Sequence, residues 1–577
     1  MKKIIAAAIL IAIAALNNLS GQVPHVKSIT RIPDSVLHVL EKKLAEEIPV
    51  LMDEAGIPGS AVALIGRDGI LWHREYGYAS RLKNRKVTEK TLFCLMSCSK
   101  SITALGVLTA VREGILDPNE PVSTYVPGLN FKSRFEESPE DSITLRLLLS
   151  HRAGFENDVN CGEFGNRPHQ IDEYINKITG VWMNFPVGYQ PYYSNIGFEL
   201  AGYILEQKAG IPFSEYMDKK VFGPLGMDHS TYDQERIKTI TDRANGSWSR
   251  EADKNSEPPA YIPMLACGGA YSNLEDMARY IQFHLGSLIP EGELTGDFGM
   301  NLMHSLAFPA NGQQGGYTTG MERYPLGDTY YLFQEGGGYG FESAIIIYPD
   351  LNLGLVLLTN SCWTRLNGST MAGLINGIIG TSCKADKTEM SGNQTGSYKE
   401  KAVYDPALED IYGIYDTDKK IFRRGDSVFF ETGGKDNPLR FYSDSTEIFA
   451  VYGSGMRIRF LPKLAGSPGN IQIINLNTGT AAYAFFNKPL PEYDRSGSGK
   501  TVWKSLPGRY NLYIDGLYRG RFLVKMDNGY LTVNGSRCHE FHPGMFFNCE
   551  GSVFDFTGSV PVIAGFSLTK QMEDARE

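Results

Sequence analysis

Between Ser35 and Ile57 apolar residues recur at helical spacing (Val36, Leu40, Leu44, Ile48, Leu51), which predicts an amphipathic helix. The pattern then shortens to β-rich runs, Gly59 to Ile65 and Ile70 to Tyr76, that read as a hairpin. A mostly helical middle follows, with helices predicted over Lys100 to Arg112, Ile171 to Ile178 and Gly197 to Ala209. Strand character returns in Tyr330 to Glu335, Phe341 to Tyr348 and Leu353 to Leu358, and Met371 to Ile379 reads as a closing helix. Sheet at both ends with helices between predicts an α+β domain, an antiparallel sheet flanked by helices plus a helical subdomain.

Beyond Cys383 the pattern becomes one of short alternating strands with Gly, Asn and Asp turns. Two blocks there begin alike, Ile411-Tyr412-Gly413-Ile414-Tyr415 and Leu506-Pro507-Gly508-Arg509-Tyr510, which predicts two small all-β, barrel-like domains. The expected organisation is a leader at 1–21, a catalytic domain at 22–383, a linker at 384–402, a first β domain at 403–490, a linker at 491–502 and a second β domain at 503–577. The leader is expected from Lys2 and Lys3 followed by an apolar run from Ile4 to Leu16, short for a spanning helix, with an uncleaved membrane anchor as the alternative. It implies export, to the periplasm or outside the cell, with no spanning segment after its removal.

Charge and cysteine content narrow the function classes. A net charge of −9 over 577 residues, with no long Lys/Arg run, argues against a nucleic-acid partner. Eight cysteines at spacings that match no zinc motif give no disulfide scaffold and no metal site. Cys538 and Cys549 could pair across a hairpin or remain separate buried thiols.

Three segments carry candidate chemistry. Ser97-Cys98-Ser99-Lys100 is Ser-x-x-Lys at the start of a helical pattern. If Ser97 opens that helix, Lys100 lies one turn later on the same face, where an amine can take the hydroxyl proton while the helix N-terminus favours charge on the oxygen. Tyr193-Ser194-Asn195 precedes another helix; a tyrosine beside a lysine ammonium can serve as general base and then protonate the leaving group, and Asn195 can offer its amide to a substrate. The same three letters occur at Tyr271-Ser272-Asn273, which reads instead as a structural turn into a helix. Finally, the run ending in Gln334-Glu335-Gly336-Gly337-Gly338 puts glycines at a strand edge, permitting close approach of a substrate and an oxyanion hole from the N–H groups of Ser97 and Gly337.

In this order the segments resemble the signature of penicillin-recognising serine enzymes, above all the class C β-lactamase branch with its esterases and D-aminopeptidases. Leu116-Asp117-Pro118, Leu148-Leu149-Ser150-His151-Arg152-Ala153-Gly154, Pro224-Leu225-Gly226-Met227 and Gly268-Gly269 with Asp276 match in order too, so the resemblance spans about residues 35 to 380. It implies a β-lactamase/DD-peptidase-like fold, catalysis by Ser97, Lys100 and Tyr193, substrate contacts from Asn195, Gln334, Gly336 and Gly337, and no metal or organic cofactor. His151, in the stretch it resembles, is structural. The two C-terminal domains resemble the layout of D-aminopeptidases, where β-barrels help shape the site.

One position departs. Family members usually carry Lys-Thr-Gly or His-x-Gly on the edge strand, and Gln334 occupies that first position here. An amide cannot neutralise a carboxylate, which weakens β-lactam hydrolysis more than hydrolysis in general. The expected substrate is therefore a small-molecule or peptide acyl compound, a small ester or D-amino-acid amide, with acyl transfer to a hydroxyl acceptor or a non-catalytic wall-binding role as alternatives.

Overall fold

The computed structural model describes residues 32–159, 170–247, 261–288, 294–382 and most of 411–570. The leader at 1–21, both linkers and Cys549 lie outside the described residues. No helix among the described residues is long and apolar enough to cross a membrane.

Helix α1 (Asp34–Ala55) buries Leu40, Leu44, Ile48 and Leu51, the stripe that the sequence spacing selects, and stops at Gly56, whose φ of 67° suits glycine. It leads into strands β1 (Gly59–Gly66), β2 (Gly69–Ser80) and β3 (Arg85–Lys86). After β4 (Phe93–Cys94) come helices α2 (Ser99–Arg112) and α3 (Asn195–Ala209), then β5 (Tyr271–Ser272) and α4 (Leu274–His284). The sheet resumes with β6 (Gly316–Tyr317), β7 (Glu322–Leu326), β8 (Thr329–Gly338), β9 (Phe341–Tyr348) and β10 (Leu353–Thr359), and α5 (Gly368–Ser382) follows.

Eight of these strands form one antiparallel sheet in the order β3-β2-β1-β10-β9-β8-β7-β6, so the two chain ends of the domain meet at its centre. Its central strands are buried on both faces, and the two-residue period sorts their side chains between two cores. In β1, Ala61, Ala63 and Ile65 join the core shared with α2, α3 and α4, whereas Val62 and Leu64 join that shared with α1 and α5. The result is a three-layer arrangement with the helical subdomain on one face. Each large apolar side chain buried this way contributes roughly 1.5–3 kcal/mol to holding the sheet centre.

The C-terminal region is all β. Two five-stranded antiparallel sheets within 413–489 face a common core that includes Tyr415, Ile421, Phe430, Ile458 and Ile471. A nine-stranded antiparallel sheet spans Gly508 to Lys570, with Tyr510, Val524, Leu531 and Phe554 in its core. The two blocks that begin alike share a physical device. Tyr415 is buried and donates its hydroxyl to Ile411 O at 2.9 Å; Tyr510 is buried and donates to Leu506 O at 2.7 Å. In each, the phenol anchors the segment that leads into the first strand.

Candidate active site

The site forms where α2 begins. Met96 adopts a φ of 47°, a left-handed conformation that costs a non-glycine residue energy, and this turns the chain sharply between β4 and α2. Ser97 consequently lies in a single 3₁₀ turn (Met96–Cys98) ahead of α2 rather than at its first residue as the sequence spacing predicts. The i, i+3 relation survives: the Lys100 ammonium donates to Ser97 Oγ at 3.0 Å.

Lys100 is fully buried, and its three donors meet three acceptors, Ser97 Oγ, Asn195 Oδ1 at 2.6 Å and Cys267 O at 3.0 Å. Burial disfavours its charge, but the acidic groups of Tyr193, Cys267 and Asp158 outweigh that effect, and its pKa lies above the ordinary lysine value. The ammonium nitrogen sits 4.8 Å from the centre of the Tyr193 ring.

Tyr193 is held from behind by His151, whose ring centre lies 4.5 Å away. His151 Nδ1 accepts a hydrogen bond from Ser194 N at 3.0 Å, and burial and the nearby Lys100 charge push its pKa well below the usual value. A neutral, accepting imidazole in that place positions the loop. Ser194 caps α3, accepting from Gly197 N. Tyr271 is instead buried in β5, paired across from Cys94 and away from the solvent-facing cleft.

Asn195 has a different emphasis from the one its sequence suggests. Its oxygen serves Lys100 and its amide donates to Asp158 Oδ2 at 3.0 Å. Asp158 in turn accepts from Tyr174 Oη at 2.8 Å and Val159 N at 2.8 Å. On the other side Glu199 Oε1 accepts from Cys267 N at 2.7 Å, fixing the carbonyl that Lys100 uses. Asp158 and Glu199 belong to the site's support and were not singled out from the sequence. Glu199 carried one usable signal: a carboxylate within the apolar stretch of α3, a position that requires a partner.

The glycines of β8 lie across the nucleophile. A Cβ on Gly336 would stand 2.3 Å from Leu95 O and 2.6 Å from Ser97 N, so only glycine lets the strand pass this close. Residues 339 and 340 both have positive φ and close a two-residue hairpin between Gly338 and Phe341. Alternation along the ladder turns the Gly337 backbone groups away from β9, toward the edge that β7 stops covering at Phe333. Gly337 is exposed there, beside the exposed Trp363. Gln334 is buried, and its Nε2 donates to Glu335 O at 3.1 Å, so its amide closes on its own strand.

Among the described residues no group of three or more His, Cys, Asp or Glu is placed to hold a metal ion, and Cys94, Cys98 and Cys267 are buried free thiols.

Comparison with known proteins agrees with this architecture. Protein flp of Staphylococcus aureus strain MW2 is 25% identical over 311 residues, which cover 54% of this chain and 61% of that protein. The unguisins hydrolase ungD' of Aspergillus campestris is 29% identical over 256 residues, covering 42% of this chain and 46% of that one. The chain thus spans about three fifths or less of these curated relatives. The solved octameric penicillin-binding protein homologue from Pyrococcus abyssi shares the fold, with a TM-score of 0.50 at 21% identity, over 75% of this chain and 97% of that one. The Beta-lactamase family profile matches residues 44–362, more than half of the chain, and the protein therefore belongs to the Beta-lactamase family of serine hydrolases.

Proposed function

We propose that this chain is a serine hydrolase that forms an acyl-enzyme on Ser97 and cleaves a small ester or a D-amino-acid peptide or amide. The observation that carries the reading is the buried Lys100 ammonium, bonded to Ser97 Oγ at 3.0 Å and in contact with Tyr193. Since all three Lys100 donors are committed and an ammonium has no lone pair to take a proton, the proton of Ser97 passes to the Tyr193 oxygen. Ser97 Oγ bonds to the acyl carbon, and the N–H groups of Ser97 and Gly337 receive the oxyanion. Tyr193 returns the proton to the leaving group, and water completes the second half of the cycle.

Gln334 supports an ester or amide over a β-lactam. Its amide is turned into its own strand, so no cation stands at that position to meet a β-lactam carboxylate. A relative named as a hydrolase supports hydrolysis over transfer. Steady-state hydrolysis of p-nitrophenyl acetate tests the reading. Wild type should turn over, and Ser97→Ala and Tyr193→Phe should each lose on the order of a thousandfold in kcat. Equal rates in wild type and Ser97→Ala would remove Ser97 from the chemistry.

A further inference from the structure

A cavity of about 230 Å³ opens beside Tyr193, and the first C-terminal β region closes it. Arg152, Tyr193, Glu322 and Tyr324 form the catalytic-domain walls; Ala481 and Tyr483, from a strand some three hundred residues further along the chain, form the opposite one. At ~30 Å³ per water the space holds roughly seven waters, enough for one small organic acid and below the size of a drug-sized site.

Arg152 is the unusual member of this wall. Its Nη1 donates to Gly188 O at 3.4 Å, and its Nη2 donates to Phe308 O at 3.4 Å and Tyr483 Oη at 3.5 Å. Every one of these acceptors is neutral, and every contact is at the long limit of a hydrogen bond. Among the described residues no carboxylate lies within ion-pair distance of it. Burial lowers the Arg152 pKa; Tyr483 offsets part of this, and the nearby Arg459 charge adds to it. Glu322, in the same cavity, does not compensate: it accepts from the Tyr324 hydroxyl, and burial pushes its carboxyl above the usual range. A guanidinium removed from water without a counter-charge is costly, and the planar fork of Arg is suited to a carboxylate. The cost is relieved when a ligand brings the anion.

The position matters as much as the charge. Arg152 follows His151, which holds the Tyr193 loop, so the unpaired cation and the group that protonates the leaving atom share one support. We propose that this cavity receives the leaving group of the acyl donor and that Arg152 binds a carboxylate on it, with Tyr483 closing the subsite. The inference rests on the Ser97 reading above and names its substrate class: acyl compounds whose departing alcohol or amine bears an acid. In the step it serves, Ser97 Oγ bonds to the acyl carbon, the bond from that carbon to the leaving oxygen or nitrogen breaks, and Tyr193 supplies the proton that the leaving atom takes. Anion recognition thus sits on the loop and the C-terminal wall, where Gln334 leaves the strand without it.

The test compares meta-acetoxybenzoate, whose leaving group carries a carboxylate, with phenyl acetate, whose leaving group does not. The full-length wild type should favour the first by about tenfold or more in kcat/KM. Arg152→Gln should bring the ratio close to one, and Arg152→Lys, which keeps the charge, should retain part of it. A wild-type ratio near one, or a ratio unchanged by Arg152→Gln, overturns the proposal while leaving the Ser97 reading intact. Calorimetric binding of meta-hydroxybenzoate to the Ser97→Ala chain separates the two ideas. Binding that Arg152→Gln abolishes supports the subsite even if neither ester turns over, a result that would reject the hydrolase reading alone. Absence of binding to the Arg152-containing chain counts against the subsite whatever the esters show.

Discussion

A lysine buried with all three of its donors satisfied is a fixed charge rather than a mobile base, and the acceptors around Lys100 decide where that charge sits. Asn195 supplies the shortest of the three bonds, at 2.6 Å. Replacing it by alanine frees one ammonium donor to swing from Ser97 and leaves Asp158 without its amide partner. Asn195→Ala should lower kcat by roughly ten- to a hundredfold, the worth of a hydrogen bond to a charged group, with a smaller change in KM. A group that titrates near neutrality is Glu342, whose carboxyl is pushed up to about 8 by burial and by its hydrogen bond with Glu335. The folded chain therefore keeps a proton that the unfolded chain releases above the ordinary glutamate value of 4.5. Stability is full below that value and is lost as pH rises through about 8. Thermal unfolding should occur at a lower temperature at about pH 8.5 than at about pH 5.5, and Glu342→Gln, neutral at both, should narrow the gap.

At the scale of elements, the closest approach in the site is that of β8 to the turn carrying Ser97. Gly336→Ala places a methyl against Leu95 O and Ser97 N, both backbone atoms that cannot rotate away. It should cost about 1–3 kcal/mol in stability and remove most ester turnover, read from chemical denaturation and rate together. Most of this frame was legible from the sequence because local period and packing agree. The stripe of α1 and the alternation of β1 are the same residues that the two cores receive. Ser97 and Lys100 were placed on one face by spacing alone, but the 3₁₀ turn before α2 was not, because it depends on the positive φ of Met96, a residue type with no preference for that conformation. Asp158 and Glu199 were missed for another reason: their roles arise from contacts across long stretches of sequence, with Asn195 and Cys267, that periodicity does not encode.

At the scale of the molecule, the C-terminal β regions are joined to the catalytic part by specific contacts. Tyr189 donates to Pro462 O at 2.9 Å, Asn470 donates to Gln190 Oε1 at 3.1 Å, and the Arg134 guanidinium lies 4.1 Å above the Phe547 ring. This union could not be read from the sequence, since the alternating strands reveal sheets but not the surface on which they dock. A chain ending at residue 382 would expose Phe185 and Tyr192, which now pack against Phe485. It should unfold at a lower temperature than the full chain by circular dichroism and lose the Tyr483 wall of the cavity.

The central claim is that Ser97 is acylated, and intact-protein mass after brief exposure to a fluorophosphonate addresses it most directly. Wild type should carry a single adduct that maps to Ser97 and is absent from Ser97→Ala; an unlabelled wild type, or an adduct that persists in Ser97→Ala, would contradict acylation at Ser97.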